Sequence, residues 1–325
     1  MKPDVNRRRF LKLTGASIGI GTLYTLAPPA FGASAEIMSY LGQKTGENVT
    51  PFSFVQLSDP HVGFDGPPDP LGTKAFEQAV AMVNNLDTPP DLVLFTGDLI
   101  HDTEDKDEHV KRIKRFKEIS SGLRVGKVKH VPGEHDAGLD SGTIYRDHFG
   151  ETSYSFDHRG VHFVALDNVT RAKPEVGQAQ TEWLKRDLAR FPKEAPIVIF
   201  THRPLFDLKP EWEWFTSDGD DVMNALAPYQ NVTVLYGHIH TEHTDKIANV
   251  NHYGARSLVF AFPDPAQSPA KKPMPFDKAN PFKNLGIREL RSERDTPLNV
   301  KDVELTLQEF GGVNGVQQMF KEVEL

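Results

Sequence analysis

The chain has 325 residues, of which 38% are hydrophobic, and this is enough to bury a sizeable core. Its formal net charge of -8 argues against a nucleic-acid partner, because binding such a partner requires a basic stripe. The sequence contains no cysteine, which excludes thiol catalysis, thiolate zinc sites and disulfides. Any metal ion must therefore be held by carboxylate, imidazole, amide or water ligands.

Residues 1–35 are predicted to form a twin-arginine signal peptide. Residues 6–12, Asn-Arg-Arg-Arg-Phe-Leu-Lys, resemble that signal, and a weakly apolar stretch follows over residues 13–26. This stretch is shorter than the ~20 apolar residues of a membrane span, so we expect no stable span. The expected partner is the twin-arginine export machinery, and the mature protein is expected to be periplasmic or secreted. The alternative is a basic, flexible tail. Small residues that offer a cleavage site are Ala30, Ala33 and Ala35.

Residues 36–325 are predicted to form a single domain. In its first half, apolar runs at residues 52–57, 91–96 and 128–131 predict strands, and helical periodicity separates them at residues 71–86 and 105–120. Strands that alternate with helices in this way predict a sheet with parallel pairs and right-handed crossovers.

The second half repeats this alternation less regularly. Two β-rich halves with helices between their strands predict an α/β sandwich flanked by helices. The core is expected over residues 52–262, followed by a proline-rich loop at 263–281 and C-terminal strands within 282–325. The further predicted elements are strands at 154–156, 161–166, 197–200, 232–236, 285–290 and 303–307, and a helix at 178–190.

Five short segments that carry Asp, Glu or His follow the predicted strands. Because strand ends at one edge of a sheet converge, side chains far apart in sequence can meet there. The pattern predicts a two-metal hydrolytic centre, and its imidazoles favour divalent or trivalent Mn, Fe or Zn over Mg. The segments are Asp59-Pro60-His61, Gly97-Asp98, Gly133-Glu134-His135-Asp136, Thr201-His202 and Gly237-His238-Ile239-His240.

Taken in order, these segments resemble the signature of the calcineurin-like metallophosphoesterases: Asp-x-His, Gly-Asp, Gly-Asn-His-Asp, His and Gly-His-x-His. The resemblance covers about residues 52–262. It implies a four-layer α/β/β/α sandwich with two metal ions at the carboxyl edges of its strands. It also implies a phosphoric ester hydrolase that acts on a phosphorylated small molecule or ester through a metal-bound hydroxide.

The resemblance assigns a role to each matching residue. Asp98 would bridge the two metal ions. His135 would stand over the phosphate as a general acid or a positive stabiliser, and Asp136 would orient it. Asp59, His61 and His240 would complete the first site. The remaining ligands, those of the second site, would be Glu134, His202 and His238.

Glu134 stands where the family has asparagine. A glutamate can bind metal, but it cannot donate a hydrogen bond to phosphate, and at ~4 Å its charge would repel the phosphate by a few kcal/mol. Two interpretations follow. Glu134 is a chelating ligand that alters metal or substrate preference, or the protein is a metal-binding scaffold or sensor with little phosphatase activity.

Other polar residues near these segments leave alternatives open. Arg203 could meet a phosphate oxygen or form a surface salt bridge. The aromatic run at residues 211–215 could cover the substrate, although loop packing is favoured. His101 and Asp102 are expected in a loop without metal contact, and His243 is undecided but inclines to a structural role.

Overall fold

The protein is described by a computed structural model, which covers residues 49–293 and 297–306. The predicted signal peptide lies outside these residues. Within them, no helix combines the length and the apolar character that crossing a membrane requires.

The strands of the described residues follow the predicted positions closely in the first half of the chain. The strand bounds are β1 Phe52–Leu57, β2 Leu92–Thr96, β3 Lys127–Val131, β4 Tyr154–His158, β5 Val161–Ala165, β6 Pro196–Phe200, β7 Asn231–Tyr236, β8 His243–Ile247, β9 Val250–Gly254, β10 Gly286–Ser292 and β11 Asn299–Glu304.

Helices separate most of these strands. The second of them begins at Asp105, whose side chain accepts hydrogen bonds from the backbone amides of Asp107 and Glu108 at 2.9 and 3.2 Å. The helix bounds are α1 Lys74–Asn84, α2 Lys106–Ser120, α3 Glu134–Ala137, α4 Thr143–Phe149, α5 Gln178–Leu188 and α6 Gly219–Leu226, with a short 3-10 helix at Pro210–Trp212.

The strands form two mixed sheets. The first sheet has the order β11-β10-β1-β2-β3, in which β1, β2 and β3 are parallel and β10 and β11 are antiparallel. The second has the order β4-β5-β6-β7-β9-β8, in which β5, β6, β7 and β9 are parallel. The predicted β-α-β-α-β run is therefore the parallel half of the first sheet.

Three apolar clusters define four layers. In β1, Phe54 faces the second sheet and packs with Phe163 and Phe200, whereas Val55 faces the helices and packs with Phe76 of α1. In the second sheet, Val198 faces the first sheet, and Ile199 packs against α5 and α6. Because both faces of the central strands are covered, the sequences of these strands are largely apolar. The predicted α/β/β/α sandwich is confirmed.

The elements of the second half that were not predicted include a hairpin and a helix. The β8–β9 hairpin was missed because β8 is polar and mostly exposed, so it lacks an apolar alternation. Helix α6 has eight residues and begins with Gly-Asp-Asp, so its apolar pattern is too short to predict a helix. Residues 263–281 form neither a helix nor a strand.

Candidate metal centre

The predicted site residues follow strand ends in both sheets. Asp59 follows β1, Asp98 follows β2 and Glu134 follows β3, all in the first sheet. His202 follows β6 and His238 follows β7 in the second sheet. The carboxyl edges of the two sheets therefore meet at one place, and all seven predicted metal ligands lie there in two overlapping groups.

The first group comprises Asp59, His61, Asp98 and His240, all buried, and their ligand atoms lie within 4.8 Å of one another. Nε2 of His61 lies 3.3 Å from Oδ2 of Asp98 and 3.2 Å from Nε2 of His240. Nε2 of His240 lies 3.4 Å from Oδ1 of Asp59. These atoms surround one point as ligands of a single cation would.

The second group comprises Asp98, Glu134, His202 and His238. Nε2 of His202 lies 2.8 Å from Oε2 of Glu134 and 3.3 Å from Oδ2 of Asp98. Nδ1 of His238 lies 2.7 Å from Oε1 of Glu134. Because Asp98 belongs to both groups, its carboxylate is placed to join two cation sites.

In three of the candidate ligand histidines, one ring nitrogen donates a hydrogen bond to a backbone carbonyl, and this leaves the other nitrogen available as a metal ligand. Nδ1 of His202 donates to the Thr96 carbonyl at 2.7 Å, and Nδ1 of His240 donates to the Phe260 carbonyl at 2.9 Å. Nε2 of His238 donates to the Glu213 carbonyl at 3.1 Å. A ring that donates from one nitrogen presents a lone pair from the other, which is the arrangement of metal-binding histidines.

Two buried atoms in the second group lack hydrogen-bond partners within the described chain, namely Nε2 of His202 and Oε2 of Glu134. Buried polar atoms are costly to leave unpaired, so their convergence requires a proton or a cation between them. The residues present therefore fit a pair of bound metal ions.

The backbone at this site adopts an unusual conformation. Five candidate ligands have positive φ, between 40° and 65°. Non-glycine residues pay roughly 1–2 kcal/mol for this left-handed region, and such residues cluster at functional sites. The turns that follow the strands are therefore shaped to direct side chains into the site. The five ligands are Asp59, His61, Asp98, His238 and His240.

Glycines give these turns both conformation and space. Gly97 has a φ of +92°, which glycine adopts readily. Gly133 has an ordinary φ of -105°, but a Cβ there would lie 2.1 Å from Oδ1 of Asp98. The missing side chain of Gly133 therefore lets β3 approach Asp98, and no left-handed turn is involved.

The electrostatics favour ionised carboxylates. Burial and the Glu134 charge oppose ionisation of Asp98, but the imidazoles of His202, His135 and His61 outweigh them and hold the pKa of Asp98 below its usual range. Burial also opposes ionisation of Glu134, and His238, His202 and Arg203 outweigh it, so its pKa is lowered as well. The site therefore presents negative charge to a cation.

His135 lies beside the first group and is held by Asp102. Nδ1 of His135 donates to Oδ1 of Asp102 at 2.5 Å. Burial lowers the pKa of His135, but the Asp98 charge and the Asp102 hydrogen bond outweigh burial and raise that pKa to about 9. These carboxylates favour the protonated ring, whose Nε2 could then act as a proton donor.

Asp136 does not take the predicted orienting role. Its carboxylate accepts hydrogen bonds from the backbone amides of Ile100 at 2.8 Å and Gly133 at 2.9 Å, which fixes the loop after β2 against α3. Asp102 is the carboxylate that meets the His135 ring, and it was expected to lie in a loop without a site role. Its position four residues after Asp98 is the only sequence signal that could have identified it.

Aromatic rings border the first group. His101 stacks on His135 with ring centroids 4.8 Å apart, and Phe64 packs edge-on against His101 at 5.1 Å. Phe260 packs against His240 at 4.8 Å. His101 is thus a neighbour of the site, and no sequence pattern indicated Phe64 or Phe260.

The second group is bordered by Arg203 and by the turn that carries two tryptophans. Nη2 of Arg203 lies 3.2 Å from Oε1 of Glu134, and its Nη1 donates to the Glu213 carbonyl at 2.7 Å. Arg203 therefore faces the site and does not form a surface salt bridge. Trp212 and Trp214 are buried in the core of the second sheet, which confirms loop packing for this segment.

Comparison with known families agrees with this geometry. The family model described as calcineurin-like phosphoesterase matches residues 52–242. The chain belongs to this family and is a metal-dependent phosphoesterase by class. Family membership and the two ligand groups together indicate a dinuclear metal centre.

Curated relatives in this family act on different phosphate esters. The chain is 26% identical over 200 residues to a 3',5'-cyclic adenosine monophosphate phosphodiesterase of Haemophilus influenzae, covering 58% of this chain and 69% of that protein. It is 28% identical over 193 residues to the human serine/threonine-protein phosphatase CPPED1, covering 52% of this chain and 61% of that protein.

Solved structures share the fold. Purple acid phosphatase PPD1 from yellow lupin superposes with a TM-score of 0.61 at 15% identity, covering 80% of this chain and 52% of that chain. A dimetal phosphatase from Danio rerio superposes with a TM-score of 0.53 at 14% identity, covering 80% of this chain and 99% of that chain. These likenesses support the four-layer architecture.

Proposed function

We propose that this protein is a dinuclear metal-dependent hydrolase of phosphoric esters, in which Asp98 bridges two metal ions and Glu134 is a ligand of the second. The observation that carries the proposal is the pair of ligand groups that share Asp98. The histidine donors favour Mn, Fe or Zn over Mg. The first site would be completed by Asp59, His61 and His240, and the second by His202 and His238.

The bound metal ions would neutralise phosphoryl oxygens and lower the pKa of an attacking water. The protein's own contribution to bond cleavage is proton donation from His135. Its ring is tied to Asp102 through Nδ1, which favours the protonated form, so Nε2 would protonate the leaving oxygen or stabilise its charge.

Glu134 requires a compensating charge if phosphate is to bind beside it. Arg203 supplies that charge, because its guanidinium lies 3.2 Å from the Glu134 carboxylate and its side chain is 11% exposed. The pair can offer metal an oxygen ligand from Glu134 and offer phosphate an N–H donor from Arg203. This supports a functional ligand over a substitution that abolishes phosphate binding.

The test is metal content and turnover of purified protein. We expect two metal ions per chain and hydrolysis of p-nitrophenyl phosphate or its bis ester in the presence of Mn²⁺. Asp98→Asn should lose metal and activity, whereas the exposed control Asp87→Asn should keep both. Full activity in Asp98→Asn would refute the bridging role.

The alternative function is a metal-binding scaffold or sensor of the same fold with little hydrolysis. It is favoured only if the negative charge of Glu134 excludes phosphate despite Arg203. No turnover with both metal ions bound would support it. A large gain in phosphatase rate in Glu134→Asn would then identify the glutamate as the cause.

The substrate is proposed to be a phosphorylated small molecule or another phosphoric ester. The relatives named above support phosphate ester chemistry, and they include a cyclic nucleotide phosphodiesterase and a protein phosphatase. Both a monoester and a diester are therefore included in the turnover test.

We also propose export through the twin-arginine machinery to the periplasm or beyond the cell. The support is the Arg-Arg-Arg-Phe-Leu-Lys sequence at residues 7–12. Replacing Arg7 and Arg8 by lysine in a bacterial host should retain the precursor inside the cell, because these two arginines precede the variable residue Arg9 and the Phe-Leu-Lys sequence. Unchanged export of that variant would contradict the proposal.

A further inference from the structure

The proline-rich segment at residues 263–281 brings a lysine into contact with the turn that borders the second ligand group. Nζ of Lys271 donates to the Trp212 carbonyl at 2.9 Å. The adjacent carbonyl, that of Glu213, accepts hydrogen bonds from both Arg203 and His238. The same turn therefore holds Lys271, Arg203 and a candidate metal ligand side by side.

A second contact fixes the Lys271 ammonium from the other side. Its Nζ lies 5.7 Å from the centroid of the Phe262 ring, and that ring packs against His240 at 5.3 Å. The ammonium thus lies between the Trp212 carbonyl and the Phe262 ring, and it interacts electrostatically with the carboxylates of Glu134, Glu213 and Asp98.

The Lys271 ammonium keeps donors for a ligand. An ammonium has three N–H groups, and the described structure gives Lys271 the Trp212 carbonyl as its hydrogen-bond acceptor. Glu134, Glu213 and Asp98 attract the ammonium through their charges, but none of them forms a side-chain hydrogen bond with it. Its side chain is exposed toward solvent, so an anion can reach it.

We propose that Lys271 binds a non-bridging phosphoryl oxygen of the substrate and makes the site selective for phosphate monoesters over diesters. This inference rests on the proposed function. A monoester carries ≈ -1.5 to -2 charges at neutral pH, whereas a diester carries about one. An added cation therefore stabilises a bound monoester more than a bound diester.

Arg203 alone cannot supply this selectivity, because it faces Glu134 and the Glu213 carbonyl. Its charge is largely offset by Glu134. Lys271 is attracted by Glu134, Glu213 and Asp98 but forms no hydrogen bond with them, so it is the residue expected to respond to the charge of the substrate.

The experiment compares Lys271→Met with the control Lys272→Met, which alters an exposed neighbouring lysine. Metal content and circular dichroism are measured first, to establish that each variant is folded and loaded. Isothermal titration calorimetry then gives the Kd of inorganic phosphate. Steady-state kinetics give the ratio of kcat/KM for p-nitrophenyl phosphate to that for its bis ester.

We expect Lys271→Met to weaken phosphate binding about ten-fold and to lower the monoester-to-diester ratio about ten-fold, at the lower end of what a hydrogen bond to a charged group contributes. Lys272→Met should match the wild type, and Lys271→Arg should recover most of the ratio. An unchanged phosphate Kd and an unchanged ratio in Lys271→Met would overturn the inference.

The outcomes separate this inference from the proposed function. If the wild type turns over both esters and Lys271→Met has no effect, the proposed hydrolase function is supported and the proposed role of Lys271 is refuted. Phosphate binding that depends on Lys271, with no turnover of either ester, would support the anion site and refute the hydrolase.

Discussion

The carboxylate of Asp102 accepts a hydrogen bond from Nδ1 of His135 across 2.5 Å. This pair joins the loop after β2 to the first turn of α3, so it depends on the parallel pairing of β2 with β3. It holds the His135 ring beside the first ligand group, with its ring centroid 4.7 Å from that of His61. We propose that the pair contributes to the reaction through proton transfer.

Asp102→Asn removes the charge that supports a protonated His135. We expect kcat for an alkyl phosphate to fall about 10²-fold, because the poor leaving group needs a proton, and kcat for p-nitrophenyl phosphate to fall less. Steady-state kinetics on both substrates measure this, with Asp107→Asn as an exposed control. Equal losses on both substrates would contradict a role in leaving-group protonation.

Gly133→Ala would place a Cβ atom 2.1 Å from Oδ1 of Asp98, which is closer than the two atoms can approach. We expect β3 or Asp98 to shift and the metal affinity to fall about 10–100-fold, as when the support of a ligand is lost. Gly126→Ala is the matched control, because its Cβ would meet the Asp91 carbonyl at an ordinary 3.4 Å. Titration with Mn²⁺ measures both variants, and equal affinities would refute this account of Gly133.

Arg203 and Glu134 are predicted to be coupled. Arg203→Gln leaves the Glu134 charge uncompensated, so we expect KM for p-nitrophenyl phosphate to rise about ten-fold. In a Glu134→Gln background, the same change should have little effect, because the repulsive charge is gone. A double-mutant cycle measures the coupling. Strictly additive effects would mean that the two side chains act independently.

His252 should make the fold sensitive to acid. It is buried beside Phe206, and neither ring nitrogen has a hydrogen-bond partner within the described chain. Burial lowers the pKa of His252 from 6.5 to about 4, partly opposed by the charge of Asp245 and assisted by His243. Between pH 6.5 and about pH 4, the unfolded chain therefore binds a proton at this histidine that the folded protein does not bind.

The resulting loss of stability has a defined pH window. Above pH 6.5 the ring is neutral in both states and has no effect. As the pH falls from 6.5 to about 4, the free energy of unfolding should drop by at most about 3 kcal/mol. His252→Phe should remove this part of the drop in urea unfolding between pH 7 and pH 4. Parallel curves for variant and wild type would contradict it.

The sequence was sufficient to predict the layers and the convergence of the site. The first sheet could be predicted because β1 alternates and is rich in β-forming residues, β2 is a continuous apolar run, and a helix with a clear apolar period separates them. The polar segments could be placed together because parallel strands end at one edge. Glu134 meets His202 and His238 as that reasoning expects.

Contacts between loops could not be predicted. The Asp102–His135 bond and the contact of Lys271 with the Trp212 carbonyl join segments whose separation is set by tertiary packing. Asp136 was chosen as the orienting group because it is adjacent in sequence, yet its carboxylate turns inward to backbone amides. The polar strand β8 depends on pairing with β9 and not on an apolar pattern of its own.

The most direct measurement is X-ray diffraction from crystals grown with Mn²⁺, collected on both sides of the manganese absorption edge. The account predicts two anomalous peaks per chain, both at coordination distance from the Asp98 carboxylate, with Glu134 and His238 at the second. A single peak, or peaks that do not share Asp98, would contradict it.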